Sequence, residues 1–375
     1  MKILVTGGHL TPALSYIDWL QENKPSVKLC FLGRKFSQDF LQQESVEQYE
    51  LEKRKVKFIP FLATRLGPHF LTNFFQEFPK FFKSIIQAKK ILQAEKISIV
   101  VSFGGYLAVP VAIAAFLSRI PIITHEQTLT VGLANKIIGY LATKVAVSFS
   151  ATSQYFSAKK VVITGNLLRK GVFSKQQTKP SWLKETKQPI LLVMGGNQGS
   201  EALNELILAC LPELVRDWMI VLQCGKPTNK RNYRQVFATA QSQLAEEFKN
   251  KLYVQEWLDE ADLFWLYRHT KVALSRSGAN ATHELIVARV PSIFVPLPSS
   301  HQDEQYKNAK WLVDLGAAVL IDQQALNQTT LISALEKVVS LEEEIKNNLA
   351  QIKFSPIAPS KLHLLVEEVI KNCEN

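Results

Sequence analysis

The sequence predicts an α/β protein of two domains, each a parallel sheet with crossover helices. Three observations carry this. The chain has 375 residues, more than one hydrophobic core usually organises. Short apolar runs alternate with segments of helical periodicity. After a polar stretch from Lys170 to Lys187 the same alternation starts again, without any repeat of the sequence itself. The natural boundary lies near Leu168 to Lys175, giving one domain over residues 1–168 and a second over 169–356.

In the first half, Ile3–Val5, Leu29–Leu32, Ile97–Ser102, Ile120–Thr124, Lys144–Val147 and Val161–Ile163 read as strands. Thr11–Glu22, Phe81–Ala94, Pro110–Ser118 and Gly132–Leu141 read as the helices between them. In the second half, Ile190–Met194, Met219–Gln223, Leu252–Val254, Lys271–Leu274, Ser292–Val295 and Ala318–Ile321 read as strands. The pattern is that of two Rossmann-like domains.

Composition fits a globular enzyme: 47% apolar and 21% charged residues exclude disorder and a fibrous repeat. Cys30, Cys210, Cys224 and Cys373 are far apart and form no C-x-x-C pair, so they read as free thiols in a reducing compartment, with no structural zinc. The opening apolar run, Ile3 to Val5, is too short for a signal peptide or a membrane span, and a cytoplasmic protein is expected.

Lys and Arg number 44 against 33 acidic residues, a net +11 that favours an anionic surface or a phosphate-rich substrate. No zinc-finger spacing, RNP-like motif or heptad-linked basic region is present, so nucleic acid is not expected as a partner. An anionic membrane has a better case in Leu66–Lys90. There Phe70, Leu71, Phe74, Phe75, Phe78, Phe81 and Phe82 interleave with Lys80, Lys83, Lys89 and Lys90. The alternative is a helix whose aromatic stripe packs inside the domain; a helix facing both ways satisfies both readings.

The chemistry-bearing motifs follow strands. Thr6-Gly7-Gly8-His9 closes the first strand; its glycines let backbone N–H groups approach an anion, and His9 stands at the rim. It lacks the spacing of a dinucleotide fingerprint, and a tight turn with a surface histidine is the plainer reading. Gly104-Gly105-Tyr106 follows another strand, as a second anion loop or a simple turn. His125-Glu126-Gln127-Thr128 places four polar residues at a strand end; His125 or Glu126 acts as a base or orients one, or the group braces the loops.

In the second half, Gly195-Gly196-Asn197-Gln198-Gly199-Ser200 leads into a helix and offers N–H and amide donors to a diphosphate. Ser275 to Glu284 completes the pocket: Gly278, after Ser277, permits close approach of a phosphate, and the Glu284 carboxylate can accept both hydroxyls of a ribose. The alternative for Glu284 is a surface carboxylate near a helix N-terminus, and His283 reads as solvated. Gln305 and Asn308, three apart, face one way if helical and suit sugar hydroxyls. A nucleotide sugar fits this set.

Taken in order, T-G-G-H-x-x-P-A, F-G-G-Y, H-E-Q-x, G-N-x-x-R, G-G-x-Q-G, S-R-S-G-A-N and D-x-Q-x-x-N-A resemble the MurG family of GlcNAc transferases of peptidoglycan synthesis. The resemblance implies a GT-B fold, with donor and acceptor in the cleft between the domains. It implies inverting transfer of GlcNAc from UDP-GlcNAc to the C4 hydroxyl of MurNAc in lipid I, giving lipid II at the cytoplasmic face of the membrane. Thr6, Gly7 and Gly8 would lie by the donor sugar and the acceptor diphosphate, and His9 would be the base. Arg169 would contact the donor near the hinge and Leu258 would give backbone contacts to uracil. Ala279, Asn280, Ala281, Thr282 and Glu284 would cover diphosphate and ribose, with Gln305 on the GlcNAc. The last helix, Ser360–Asn372 within residues 357–375, would cross back onto the first domain.

Four positions depart from the family pattern: Leu4 and Val5 where two more glycines are usual, Thr128 where Asn is usual, and Asn197 where Ser is common. No D-x-D motif is present, so no cofactor is expected, although a divalent cation could assist. The alternatives are another UDP-sugar-dependent glycolipid transferase, or a non-catalytic homologue that binds UDP or lipid.

Overall fold

The structure, a computed structural model, describes residues 1–34, 36–38, 41–63, 74–174, 177–185, 187–196, 199–228 and 231–374. The chain divides into two compact units, one comprising Met1–Arg169 with Ser355–Asn375 and the other Lys170–Phe354.

Unit 1 runs β1 (Lys2–Thr6), α1 (Leu10–Asn23), β2 (Lys28–Gly33), the antiparallel pair β3 (Phe36–Gln38) and β4 (Leu41–Glu44), α2 (Val46–Lys53), β5 (Lys57–Pro60) and α3 (Phe74–Ala94). It continues through β6 (Ile99–Ser102), α4 (Ala108–Leu117), β7 (Ile122–Glu126), α5 (Leu133–Leu141), β8 (Lys144–Val147) and β9 (Val161–Ile163). Seven strands form a parallel sheet in the order β5-β2-β1-β6-β7-β8-β9. The register Thr6↔Ser102↔Thr124 brings the carboxyl ends of β1 and β6 level and carries β7 two residues beyond them, so the loops after all three share one edge.

Alternation along the strands sorts the core into two layers. Ile3, Val5, Phe31, Val101 and Ile123 face α1, where Tyr16, Ile17 and Leu20 are fully buried. Leu4, Leu32, Val100, Ile122 and Val145 face α3, α4 and α5. Both sheet faces are covered, which is why these strands read as unbroken apolar runs. Leu4 and Val5 thus fill opposite layers, each burial contributing about 1.5–3 kcal/mol. In α1, Pro12 sits in the first turn, where its missing N–H costs nothing, and Pro25 follows the last turn.

Unit 2 runs β10 (Ile190–Met194), α6 (Glu201–Asp217), β11 (Met219–Gln223), α7 (Tyr233–Ser242), α8 (Glu246–Lys249), β12 (Leu252–Gln255), α9 (Glu260–His269) and β13 (Thr270–Ser275). Then come α10 (Ala279–Ala288), β14 (Ser292–Phe294), α11 (Glu304–Asp314), β15 (Val319–Leu320), α12 (Gln328–Ser340) and α13 (Glu342–Gln351). Its sheet is parallel, ordered β12-β11-β10-β13-β14-β15. Met194, Ser275 and Phe294 lie level at its carboxyl edge.

The last helix, α14 (Ala358–Glu374), belongs to unit 1. Ala358, Leu362, Val366 and Val369 enter the layer under α1. The Tyr16 hydroxyl lies 3.1 Å from Nδ1 of buried His363, and Lys24 pairs with Glu367 at 2.8 Å.

β5, α2 and the β3–β4 pair are additions to the elements expected from sequence. In α2 only Glu47 and Leu51 are buried, and β5 is an edge strand with two apolar residues, so neither carries a clear period. All four cysteines are free thiols, three of them buried.

Candidate active site

At the carboxyl edge of unit 1, two glycine pairs pack on each other. Gly8 N–H donates to Gly104 O at 2.8 Å, and Phe103 N–H donates to Thr6 O at 2.7 Å. A Cβ on Gly105 would stand 2.6 Å from Gly8 N, and one on Gly7 would stand 2.6 Å from Phe103 Cβ. Gly104 and Gly105 also have φ of +74° and +81°, which side chains rarely tolerate. The glycines here permit loop-on-loop contact, and the Gly8 N–H read from sequence as an anion donor is engaged by Gly104. His9 is half-buried at the N-cap of α1, and Tyr106 is half-buried beside the second pair.

The His125–Thr128 segment is buried throughout. Glu126 Oε1 accepts from the backbone N–H of Thr128 at 3.1 Å and from its hydroxyl at 2.8 Å, while Oε2 accepts from Asn135 Nδ2 at 2.8 Å. Asn135 Oδ1 in turn accepts from the Thr124 hydroxyl, and a Cβ on Gly104 would strike the same amide at 2.8 Å. Asn135 therefore packs against Gly104 while bonding Thr124 and Glu126, a role no motif announced. Both oxygens of Glu126 are occupied by this network.

The His125 ring lies 3.1 Å from Gly165 O through Nε2 and packs, tilted by 50°, with its centroid 5.7 Å from that of Phe103. Burial holds its pKa down to about 4, with His9 adding a smaller push in the same direction. The ring is therefore neutral at pH 7, with Nε2 donating to Gly165 and Nδ1 left as a buried acceptor. Thr6 Oγ1 and Gln127 Oε1 are likewise buried without a partner among the described residues. Arg169 ends the first segment of unit 1.

In unit 2, Gly195 to Ser200 joins β10 to α6; Asn197 and Gln198 lie outside the described residues. Gly196 and Gly199 have φ of +81° and +75°, and Cβ atoms on Gly195 and Gly199 would lie 2.2 Å from backbone atoms. Ser200 caps α6, its hydroxyl accepting from Leu203 N–H. Gln223 bridges neighbouring loops, its Nε2 donating to Gly196 O at 3.0 Å and its Oε1 accepting from Leu258 N–H at 3.2 Å. Leu258 is thus fixed by its own N–H. Gln223, like Asn135, was not legible as a site residue.

Gly278 is the N-cap of α10 with an ordinary φ of −64°, and a Cβ there would meet nothing within 4 Å. Neither backbone strain nor packing inside the protein demands glycine at this position. In the helix that starts at Ala279, Asn280 Oδ1 and Thr282 Oγ1 are buried without a partner among the described residues. Ala281 lies between them.

Glu284 is buried, not the surface carboxylate of the alternative reading, and its Oε2 accepts from the Tyr267 hydroxyl at 3.2 Å. His283, read as solvated, is also wholly buried: it packs at 4.9 Å on Phe354, and desolvation pushes its pKa down to about 3. Phe354 is 71 residues away, beyond any local period. Gln305 and Asn308 lie on α11 as their spacing implied, but both brace the protein. Gln305 Oε1 accepts from Leu297 N–H at 3.0 Å, Ser277 Oγ donates to Gln305 O at 2.7 Å, and buried Asn308 donates to Ser277 O at 3.0 Å.

No group of three or more His, Cys, Asp or Glu side chains among the described residues could hold a metal ion. No helix among them is long and apolar enough to cross a membrane.

Residues 5–147 match the glycosyltransferase family 28 N-terminal domain and residues 190–360 its C-terminal domain. A Clostridium botulinum (strain Langeland) protein named UDP-N-acetylglucosamine--N-acetylmuramyl-(pentapeptide) pyrophosphoryl-undecaprenol N-acetylglucosamine transferase is 31% identical over 361 residues, covering 94% of this chain and 95% of its own. A Lactococcus lactis (strain IL1403) protein of the same name is 29% identical over 377 residues, covering 99% of this chain and all of its own. Among solved structures, Acinetobacter baumannii MurG superposes with a TM-score of 0.67 at 24% identity, over 98% of this chain and 99% of that one. A Neisseria meningitidis UDP-GlcNAc 2-epimerase shares the fold at a TM-score of 0.65 and 16% identity, over 99% and 100% of the two chains. The fold is GT-B, and with both halves matched the chain belongs to glycosyltransferase family 28.

Proposed function

We propose that the protein transfers GlcNAc from UDP-GlcNAc to the C4 hydroxyl of MurNAc in lipid I, with inversion, giving lipid II for peptidoglycan synthesis. The observation that carries this reading is the near full-length relation to transferases whose name states that donor and that acceptor.

Unit 2 is the donor unit. Gly195, Gly196, Asn197, Gln198 and Gly199 before α6, and Ser277 to Thr282 around the N-terminus of α10, receive the diphosphate. Two helix N-termini supply positive potential there, so the reading needs no cofactor. Gly278 leaves room for a phosphate where a Cβ would stand. The orphaned oxygens of Asn280 and Thr282 and the buried carboxylate of Glu284 are acceptors and donors for the ribosyl diphosphate. Leu258 lines the uracil and Gln305 the GlcNAc, while Asn308 acts by holding the Ser277 carbonyl.

Unit 1 is the acceptor unit. The acceptor oxygen attacks C1, the bond from C1 to the phosphate oxygen breaks with its electron pair leaving on UDP, and the hydroxyl proton passes to a base. His9 is that base; His125, Glu126 and Thr128 hold the rim in shape, with Thr6 and Gln127 offering further polar atoms to the sugars.

The test is transfer of labelled GlcNAc from UDP-GlcNAc to a lipid I analogue. Glu284→Ala should raise the donor KM roughly 10- to 100-fold, as expected for loss of hydrogen bonds to a charged group. His9→Ala should instead lower kcat roughly 100-fold or more. No transfer by the wild type would sink the reading, and full turnover by His9→Ala would remove His9 as the base.

An anionic membrane surface is the site of work. On α3, Phe81, Ile85, Ala88 and Leu92 turn inward, so Phe81 does not belong to the exposed set. Phe78, Phe82 and Ile86, one turn apart, are 47%, 55% and 45% exposed. Exposed Lys80, Lys83, Lys89 and Lys90 share the helix. Phe70 and Leu71 lie outside the described residues, as do the side chains of Phe74 and Phe75. The neighbouring α4 and α5 add exposed Phe116, Leu117, Leu133 and Tyr140. Phe78→Ser with Phe82→Ser should reduce sedimentation with anionic vesicles at least roughly fivefold while sparing transfer to a soluble acceptor. Unchanged sedimentation would exclude this face.

A further inference from the structure

Arg276 ends up deep in unit 2, 7% exposed, although it follows β13 directly and no motif reading gave it a role. Its guanidinium meets only neutral oxygens. Nε and Nη2 donate to Ser200 Oγ at 3.1 and 2.8 Å, Nη1 donates to Val295 O at 3.0 Å and Pro296 O at 3.2 Å, and Nη2 also reaches Gln323 Oε1 at 2.7 Å. No carboxylate pairs with it among the described residues. Burial is also the one influence that lowers its pKa.

An arginine stays charged in proteins, and a buried charge without a counter-charge is costly even when hydrogen-bonded. The partner that would balance it is an anion outside the chain. Ser200 marks the direction: it caps α6 at the end of the Gly195–Gly199 loop and accepts from both Leu203 N–H and the guanidinium, so its own hydroxyl proton remains to be donated.

We propose that Arg276 is a positioning residue for the departing diphosphate. Its guanidinium holds Ser200, the N-cap of α6, and its charge lies beneath that helix N-terminus. UDP gains negative charge as the bond from C1 to the phosphate oxygen breaks and the electron pair stays on that oxygen. A fixed, desolvated positive charge therefore favours the transition state over bound UDP-GlcNAc. This inference rests on the reading of unit 2 as the donor unit.

The experiment compares uridine with UDP by calorimetry for the wild type, Arg276→Gln, Arg276→Lys and Gln323→Ala. The UDP-over-uridine preference should fall roughly tenfold or more in Arg276→Gln. It should stay within about threefold in Arg276→Lys, which keeps the charge, and in Gln323→Ala, which removes only a neutral acceptor. The inference is overturned if Arg276→Gln weakens uridine and UDP equally, or weakens neither, or if either control falls as far as Arg276→Gln. Wild-type protein that fails to bind UDP would sink the donor reading itself. Wild-type binding with an unmoved Arg276→Gln preference would sink this inference alone.

Discussion

The two sheet edges use the same device, glycines directly after a parallel strand, for different ends. In unit 1, Gly8 and Gly105 bring two loops into backbone contact, and the adjoining Glu126–Thr128–Asn135 network satisfies its own carboxylate. In unit 2, the glycine loop is braced from below by Gln223 and Arg276, while Gly278, Asn280 and Thr282 present space and orphaned oxygens. The first edge closes its glycine loops on each other while leaving Thr6, His125 and Gln127 with orphaned atoms, and the second leaves open space at Gly278 beside its own. A glycine pair after a strand is therefore no sign of an anion site until the fate of its N–H groups is known.

The largest effect that tests this contrast is Gly105→Ala. The added Cβ would lie 2.6 Å from Gly8 N on a backbone at φ +81°, so unit 1 should lose about 2–4 kcal/mol and transfer should fall roughly 100-fold. UDP affinity, measured by calorimetry, should hold. If it drops in step with the rate, the two edges do not work separately.

Acid should act on both units through buried histidines. His125 and His283 are held near 4 and 3 by burial, against an ordinary value of 6.5. A base depressed on folding stabilises above its unfolded pKa, and that contribution is lost as pH falls toward the folded value. Each ring should cost up to about 1.4 kcal/mol per pH unit below about pH 6.5. Urea unfolding at pH 7 and pH 5 should show a shallower pH dependence in His125→Asn, through unit 1, and in His283→Asn, through unit 2. An unchanged slope in either variant would mean that its ring is not buried neutral.

The smallest effect is at Thr128. Thr128→Val removes one of three donors to Glu126, which should cost about 1 kcal/mol, and Thr128→Asn, which restores a side-chain donor, should recover most of it. Urea unfolding should show both effects, and a loss much above that would mean the Thr128 hydroxyl holds the loop through Thr130 O as well as through Glu126.

The fold class was legible because strands buried on both faces leave runs such as Ile190–Met194, wholly apolar and wholly buried. Edge strand β5 and the charged α2 left no such trace. Within the site, motif order pointed to the strand ends, but the partners that hold them were silent. Asn135, Gln223 and Arg276 act through contacts 9 to 76 residues away along the chain, and His283 is hidden by Phe354. Periodicity reports which face of an element turns inward, not which distant side chain meets it there.

The return of α14 to unit 1 sets an order of assembly. The layer beneath Tyr16 and Ile17 is closed by Leu362, Val366 and Val369, which leave the ribosome only after every residue of unit 2 has been made. The unit translated first is therefore sealed last. Until then it carries an open apolar seam along α1, a natural hold for a chaperone, while its partner can already fold as an uninterrupted stretch of chain.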